Sequence, residues 1–454
     1  MASVLVAALV IAFVAYLVYK KYKPQTVILL GGMILLAWTI VIGKPILPKG
    51  GTGSPWLDMF KLMENITSTR IAGLGIMIMS CTGFVKYMDY IGASRRFVEA
   101  CVRPLGFIKS PYAVLPFAYL IGQVMKMAIT SAAGLGILLM STMFPLLRGI
   151  GVSAGAAASV IVVATCIDLG PAAGTSNLIA KTANISPVTY FSGYQLKIAL
   201  PVILLIAIMQ YFVNKFWDKK EGYQPQAETF EHKPRKEEVE HPTPTYYTVL
   251  PIVPLIAIFL FSPVMGSKLN ITLVAAMYLG MFIAMVCEYL RYRNLKLVFK
   301  SIQEFFDGMG GAFATIVSLV IAGETFAAGL TLSGAIGTVL DASKAAGFDA
   351  SAMTVLLEAV VAGSAILTGS GDASMFSFAG LAPTIAEHSG SDPVSLLLPM
   401  QFAATMGRAM SPISAVVLAV SGIAMISPTD VAKRTFLPMV AAIVATTIAV
   451  FIIL

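Results

Sequence analysis

Charged residues are scarce in this chain. Of its 454 residues, 31 are Lys or Arg and 23 are Asp or Glu, so that 12% are charged while 57% are hydrophobic. Soluble globular domains carry about 25% charged residues, and the composition therefore excludes that class and indicates a polytopic membrane protein. The net charge of +8 belongs to loops beside a bilayer, and we expect membrane lipid, not nucleic acid, as a partner.

Cysteine and histidine are equally sparse, with four and three residues. The cysteines lie far apart in apolar surroundings, without a CxxC motif or a Cys/His spacing typical of metal ligands. We expect no disulfide, no metal site and no cofactor. The first apolar run, residues 3–19, also lacks the preceding basic residues of a signal peptide, and we expect it to remain as a membrane helix.

Long apolar runs are abundant, and about 20 such residues suffice to cross a bilayer. Eight runs predict membrane helices: 3–19, 26–43, 70–90, 193–217, 246–262, 270–290, 309–331 and 435–454. Two further apolar regions, 111–191 and 351–430, are interrupted by Gly, Pro, Ser and Thr. Because backbone that leaves the helix at membrane depth is tolerated where it lines a cavity, we expect the functional site there.

A polar segment divides the chain into halves. Residues 218–241 include 12 charged residues among 24, which is typical of a solvated linker. The predicted units are a first repeat at 1–217, a cytoplasmic linker at 218–245 and a second repeat at 246–454.

The two halves share the spacing of their interruptions. Thr130 and Thr368 each precede a proline by 15 residues, and the prolines of Gly170-Pro171 and Ser411-Pro412 each precede an Ile-Ser-Pro proline by 16 residues. We interpret this as an internal repeat: three helices, a re-entrant hairpin, a broken helix and a final helix in each half. The predicted hairpins are 111–149 and 351–388, and the predicted broken helices are 153–186 and 393–427, giving about ten membrane helices and two hairpins.

Basic residues assign the topology. With alternating passes, 20 Lys or Arg residues collect on one side and six on the other. The positive-inside rule places the first side in the cytoplasm and both termini in the periplasm. The halves then have opposite orientations, an inverted repeat that favours a secondary transporter with a midplane site.

Small polar residues at the tips and breaks are the candidate substrate ligands. Helix N-termini that start there present free N–H groups suited to carboxylates; the alternative is close helix packing by small residues. The candidate substrate-binding residues are Thr130, Ser131, Ala132, Pro171, Thr175, Ser176, Asn177, Thr368, Gly369, Ser370, Gly371, Arg408, Ser411, Pro412 and Ser414.

Ionisable residues in these regions are candidates for binding or coupling. Arg408 could hold a carboxylate bidentately or tie down carbonyls of the broken helix. Lys126 could supply a second positive charge, occupy the place of a bound cation, or extend from the hairpin base. Asp168 and Asp372 could bind a proton or sodium ion, or balance a nearby cation. Glu324 and Glu358 are weaker proton-relay candidates.

One enzyme pattern is present. Gly369-Ser370-Gly371-Asp372 matches the GxGD motif of intramembrane aspartyl proteases, but the Tyr-Asp and Pro-Ala-Leu motifs of those enzymes are absent. We therefore expect a protein that is not an enzyme. An anion channel is the other alternative, because broken helices and polar tips also build selectivity filters.

The motifs resemble one transporter family. Thr368 to Gly371, Gly407-Arg408-x-x-Ser411-Pro412-x-Ser414, Ile426-Ser427-Pro428 and, in the first half, Gly134 to Met140 are similar to the DcuC family of anaerobic C4-dicarboxylate carriers, within the ion transporter superfamily. The resemblance implies a homodimeric elevator in the bacterial inner membrane that moves succinate, fumarate or malate by exchange or with protons or sodium ions. The tips lack the Ser-Asn-Thr motifs of the related sodium symporters, and Ser176-Asn177 follows the first break instead. This departure weighs against sodium coupling. Lys126, Asp168 and Asp372 stand where the resemblance implies small or neutral residues, so another organic anion or an amino acid stays open as the substrate.

Overall fold

The computed structural model describes residues 2–20, 22–47, 50–225, 243–261, 271–335 and 350–454, together with residues 267, 269, 337, 338, 341 and 342. Within these residues all regular structure is helical. Nine helices in these ranges are long and apolar enough to cross a membrane. The all-α fold class of a polytopic membrane protein is confirmed.

The described part of the first half contains nine α-helices. They are α1 (Ala2–Tyr19), α2 (Pro24–Val41), α3 (Pro55–Tyr90), α4 (Ala93–Val102), α5 (Val114–Ala128), α6 (Ala132–Gly149), α7 (Ala154–Val163), α8 (Gly174–Thr182) and α9 (Pro187–Lys220). Helices α5 and α6 form a hairpin, and α7 and α8 form a broken helix.

The described part of the second half repeats this order. Its helices are α10 (Thr245–Leu260), α11 (Leu273–Tyr292), α12 (Leu295–Leu332), α13 (Ala350–Thr368), α14 (Gly371–Phe378), α15 (Ala382–Ser389), α16 (Pro393–Met410), α17 (Ala415–Ala424) and α18 (Pro428–Ile453). Helix α13 forms a hairpin with α14 and α15, and α16 and α17 form the second broken helix. The division into repeats and linker stays a prediction, and linker residues 226–242 lie outside the described residues.

Two of the predicted spans are parts of longer helices. The run at 70–90 is the second portion of α3, which begins at Pro55, and the run at 309–331 belongs to α12, which begins at Leu295. The N-terminal portion of α3 carries charges such as Lys61 and Glu64, and that of α12 carries Glu304 and Asp307. Hydropathy alone therefore predicts a shorter helix than the structure has in each case. Each long helix also contains a π-helical turn, at Ile71–Gly75 and at Phe313–Val317.

The helices form two layers. Helices α1–α3 and α10–α12 pack together, with α12 against α2 and α3, and we call them the scaffold layer. The hairpins, broken helices and final helices α9 and α18 pack on one another and form the hairpin layer. Helix α14 meets α12, and α8 meets α3, so the layers face each other along the second hairpin and the first broken helix.

A buried ion-pair network joins the two halves inside the hairpin layer. Arg434 at the start of α18 is almost fully buried and pairs with Asp218 of α9 at 2.8 Å and with Glu221 at 2.6 Å. Asp218 also accepts a hydrogen bond from Ser153 Oγ, the N-cap of α7. The network fixes α7, α9 and α18 to one another, and a buried charge whose partners are removed is strongly destabilising.

The crossing of α3 and α12 gives a test of the scaffold layer. A Cβ atom on Gly308 would lie 2.8 Å from the Cα atom of Gly83, whereas a Cβ atom on Gly310 would meet nothing within 4 Å. We expect Gly308→Val to lower the free energy of unfolding by about 1–3 kcal/mol through overpacking. Thermal unfolding in detergent measures this, with Gly310→Val as the matched control. Equal effects of the two substitutions would contradict the close crossing.

Candidate functional site

The first hairpin tip is closed by two side chains of its own. Helix α5 ends at Ala128, and Ser131 caps α6 by accepting a hydrogen bond from the Gly134 amide at 3.1 Å. Lys126, in the last turn of α5, donates through Nζ to the backbone carbonyl of Thr130. The tip therefore contains a buried ammonium group whose neighbour is a carbonyl that would otherwise lack a helical partner.

The second hairpin tip is built from small residues. Gly369 has a φ of 72°, and a Cβ atom there would lie 3.0 Å from the backbone of Ile413 in the second break, so that glycine is needed for conformation and for space. Ser370 caps α14 by accepting from the Ala373 amide at 3.1 Å. Tip and break are in direct contact in this half.

The first break is held together by two glutamines. Helix α7 ends at Val163 and α8 begins at Gly174. Gln195 accepts from the Gly170 amide at 3.0 Å and donates to the carbonyl of Asp168 at 2.9 Å. Gln401 of α16 donates to the same carbonyl at 3.1 Å and to the Thr175 hydroxyl at 2.8 Å. Residues from both halves thus satisfy the irregular backbone, as buried polar groups require.

The second break is short and capped. It lies between Met410 and Ala415, and Ser414 caps α17 by accepting from the Val417 amide at 3.3 Å. The hydroxyl of Thr435 donates to the carbonyl of Ala409 at 2.7 Å, which satisfies an end of α16. Ser411 is fully buried and its Oγ has no hydrogen-bond partner in the described residues.

A cavity of about 350 Å³ lies where tips and breaks meet the scaffold layer. Its wall on the hairpin layer includes both tips, Thr175 and Arg408, and its opposite wall includes Ile78, Val85 and Ile316 of the scaffold layer. The volume is in the range of small-ligand pockets, which combine an apolar lining with a few placed polar groups. The cavity is therefore suited to a small polar molecule held on one side and faced by apolar groups on the other.

Three ionisable side chains line this cavity, namely Asp168, Asp372 and Arg408, and Lys126 pairs with the first of them. Lys126 Nζ lies 2.9 Å from Asp168 Oδ1, and Arg408 Nη2 lies 3.8 Å from the same oxygen. Arg408 Nη2 also donates to the carbonyl of Thr165 at 3.1 Å, and Thr175 donates to Asp168 Oδ2 at 3.4 Å. Asp372 lines the cavity, and the described part of the chain gives it no ion pair. Both cations thus converge on one carboxylate.

The predicted substrate ligands divide into two groups. Those that line the cavity are Thr130, Ser131, Ala132, Thr175, Gly369, Ser370 and Arg408, together with the charge-balance candidates Asp168 and Asp372. Those that do not line it are Pro171, Ser176, Asn177, Thr368, Gly371, Ser411, Pro412, Ser414 and Lys126. Asn177, for example, donates to the carbonyls of Pro171 and Ala173 and so supports the break.

Sequence reasoning missed Gln195, Gln401 and the scaffold wall. The two glutamines are polar residues in apolar helices, and this pattern in the sequence could have identified them. The scaffold residues Ile78, Val85 and Ile316 have no such signal, because the sequence does not distinguish an apolar residue that faces lipid from one that faces a cavity.

The two weaker acidic candidates lie outside the cavity lining. Glu324 of α12 pairs with Arg70 at 2.5 Å across the scaffold layer. Glu358 of α13 is buried, and one of its oxygens accepts from the Thr447 hydroxyl at 2.5 Å. Neither side chain lines the cavity that contains Asp168, Asp372 and Arg408.

Gln401 gives a test of how the first break is supported. We expect Gln401→Met to leave the Asp168 carbonyl and the Thr175 and Ser176 hydroxyls with fewer donors, which costs about 1–3 kcal/mol for buried groups. Thermal unfolding should show a clear decrease in midpoint, while Gln303→Met, at an exposed site, should not. An unchanged midpoint in the first variant would contradict the supporting role.

Comparison with known proteins assigns the family. The model of the C4-dicarboxylate anaerobic carriers, DcuC, matches residues 1–454. A Vibrio cholerae protein named as a probable anaerobic C4-dicarboxylate transporter is 34% identical over 453 residues, covering 99% of this chain and 97% of its own. The Escherichia coli K12 anaerobic C4-dicarboxylate transporter is 33% identical over 449 residues, covering 98% and 96%.

Two solved structures have a similar fold. The chain aligns with Neisseria gonorrhoeae MtrF at a TM-score of 0.66 and 13% identity, covering 95% of both chains. It aligns with the Alcanivorax borkumensis YdaH transporter at a TM-score of 0.64 and 15% identity, covering 95% of this chain and 98% of that one. The family match covers the whole chain and excludes the protease alternative. The chain belongs to the DcuC family of anaerobic C4-dicarboxylate carriers.

Proposed function

We propose that this protein is a secondary active transporter of C4-dicarboxylates such as succinate, fumarate and malate. The observation that carries the proposal is the convergence of Lys126 and Arg408 beside a cavity bounded by both hairpin tips. Arg408, the tip hydroxyls and the helix N-termini are groups that bind carboxylates, and Lys126 lies beside them in its pair with Asp168. The names of the relatives support the same substrate class.

The proposed setting is the bacterial inner membrane, with both termini in the periplasm. The excess of basic residues on one side of the predicted passes supports this orientation. The resemblance to the wider superfamily supports a homodimer assembled through the scaffold layer. The proposal includes the driving force, which is either coupling to sodium ions or protons or exchange of two dicarboxylates. Asp372 is the carboxylate that a coupling cation would bind.

One observation favours an alternative substrate. Asp372 lines the cavity without an ion pair in the described residues, and a substrate that carries an amine in addition to carboxylates would supply its partner. An amino acid or another organic anion is therefore the second candidate. Uptake of labelled dicarboxylates, tricarboxylates and amino acids into proteoliposomes, under imposed proton and sodium gradients, separates these substrates and their coupling.

Carrier and channel differ in counterflow. External succinate should accelerate the release of labelled internal succinate through a carrier. After each release the site must return to the inner side, and external succinate allows it to return loaded. A pore gives no such acceleration. Absence of both acceleration and substrate-dependent uptake for every dicarboxylate in the panel would refute the proposed function.

Arg408 provides the sharpest test of the site. We expect Arg408→Ala to weaken succinate binding at least about tenfold, since hydrogen bonds to charged groups contribute about 1.5–3 kcal/mol and 1.4 kcal/mol is tenfold. Arg408→Lys should also weaken it, because a single ammonium cannot reproduce a bidentate contact. Binding is measured calorimetrically, with the exposed Arg103→Ala as control. Unchanged affinity in a folded Arg408→Ala protein would refute the contact.

The elevator part of the proposal is tested by joining the layers. A Cβ atom on Gly380, after α14, would lie 3.0 Å from the Cβ atom of Ala327 on α12, close to the separation of about 3.5–4.5 Å in a disulfide. Oxidation of an Ala327→Cys/Gly380→Cys protein, without its native cysteines, should stop transport, and reduction should restore it.

The matched control for this cross-link lies within one layer. A Cβ atom on Gly329 would lie 2.7 Å from that of Leu35, and both residues belong to the scaffold layer. Oxidation of a Leu35→Cys/Gly329→Cys protein should leave transport at the level of the same protein in its reduced state, because any overpacking by the added Cβ atom is present in both states. Full transport in the oxidised protein that joins the two layers would exclude movement of the hairpin layer as one body and leave local hairpin gating.

A further inference from the structure

A groove behind the second hairpin tip is separate from the polar cavity. Its volume is about 410 Å³, and its walls belong to both layers, with α1, α2 and α12 of the scaffold layer and α13 and α14 of the hairpin layer. Thr368 lines this groove, whereas the next two residues, Gly369 and Ser370, line the polar cavity. The second tip therefore lies between two cavities of different character.

The lining of the groove is apolar and open. It includes Ile11, Val14 and Val18 of α1 and Val360 and Leu367 of α13. Ile11, Val360 and Leu367 are 44%, 41% and 66% exposed in the described part of the chain. Apolar cavities stay dry and admit apolar molecules of fitting size, and between membrane-spanning helices the surrounding medium is the hydrocarbon of the bilayer.

The hydroxyl groups on the hairpin side of the groove already have partners. Thr368 donates to the carbonyl of Ser364 at 2.8 Å, and Ser377 donates to that of Ala373 at 2.5 Å. The Ser364 hydroxyl accepts from Ser374 at 3.1 Å. Because these polar groups are satisfied within the hairpin, the groove does not require water to satisfy them.

The groove follows from the architecture and not from loose packing. A Cβ atom on Gly31 of α2 would lie 2.6 Å from Val14 Cγ2 of α1, and one on Gly32 would lie 2.8 Å from the backbone nitrogen of Phe326 on α12. The scaffold helices are thus in close contact beside the groove. On the other side, α13 ends at Thr368 and the chain turns back, so this helix does not continue along α1.

Basic residues lie at one end of the groove. Val18 and Pro24 line it on either side of the connection between α1 and α2, and that connection contains Lys20 and Lys23. Both lysines are exposed, and the described residues give neither of them an ion pair. Basic residues next to a membrane helix attract the headgroups of anionic lipids.

We propose that an acyl chain of an anionic phospholipid occupies this groove, with its headgroup beside Lys20 and Lys23. The acyl chain contacts both layers and the rear of the second tip, so this lipid is a bound partner at a defined site and differs from the lipid that surrounds the protein. The inference requires a bilayer but not the proposed substrate.

Native mass spectrometry of the intact protein in detergent measures the lipid that stays bound. The probes are phosphatidylglycerol and phosphatidylcholine with identical acyl chains. We expect one phosphatidylglycerol molecule per chain to bind more tightly than phosphatidylcholine, because each basic residue near the headgroup strengthens binding by a factor of about five.

The lysines test the headgroup. Lys20→Gln/Lys23→Gln should weaken phosphatidylglycerol binding at least about tenfold and leave phosphatidylcholine binding unchanged. Lys219→Gln/Lys220→Gln removes two exposed charges at the end of α9 and should bind both lipids as the wild type does.

Gly363 tests the position of the acyl chain. This residue lines the groove, and a Cβ atom on it would meet nothing within 4 Å. Gly363→Phe should place its ring in the groove and weaken the binding of both lipids at least about tenfold. Gly310→Phe makes the same change at another open position, outside the groove lining, and should retain wild-type binding.

Three results overturn the inference. They are equal affinity of the wild-type protein for the two lipids, wild-type binding in Gly363→Phe, and an equal loss in the Lys219/Lys220 variant and the Lys20/Lys23 variant. If Gly363→Phe does not fold, the lysine variants decide. Failure of the proposed function has a different signature, because it would leave these binding measurements unchanged and abolish only dicarboxylate transport.

Discussion

The structure depends on one constraint, namely that backbone groups which leave the helix inside a membrane must find partners within the protein. Two tips and two breaks create such groups. At each tip and each break a nearby side chain bonds at least one of these groups, with Ser131, Ser370 and Ser414 as caps and Gln195 and Gln401 across the first break. Other polar residues of the same interruptions, such as Thr130 and Asp168, line the cavity, so the interruptions form the site.

This constraint also explains why the hairpin layer is held so firmly. Gln401 belongs to the second half yet supports the break of the first, and Arg434 of the second half pairs with Asp218 of the first. Small displacements between the halves would leave several buried polar groups unsatisfied at once. A layer with such ties is expected to move as one unit against the scaffold layer more easily than it deforms.

Much of this arrangement could be predicted from the sequence, because its signals are local. Apolar runs and the repeated spacing of Thr130 and Thr368 from their prolines indicate helices, tips and breaks. The helical extensions of α3 and α12 could not be predicted from hydropathy, since their first portions are charged. Which residues line the cavity depends on side-chain direction within a break, and the sequence does not specify that direction for Ser176 or Asn177.

The two halves share the spacing of their tips and breaks but differ in the charged residues at matching positions. Counting from the matched threonines and prolines, Lys126 corresponds to Ser364 and Asp168 to Ala409. In the structure Ser364 accepts a hydrogen bond from the hydroxyl of Ser374 at 3.1 Å, whereas Lys126 pairs with Asp168.

The first junction of tip and break therefore includes an ion pair, whereas the second includes the close contact of Gly369 with Ile413. Arg408, next to the second break, reaches across to Thr165 and Asp168 of the first. The paired charges hold the first tip to its break, while the contact of Gly369 with Ile413 in the described residues is a neutral and weaker one. An inverted repeat that is symmetric in helix order can thus differ in the strength of its two junctions, and a substrate that recruits Arg408 alters the contacts of both breaks at once.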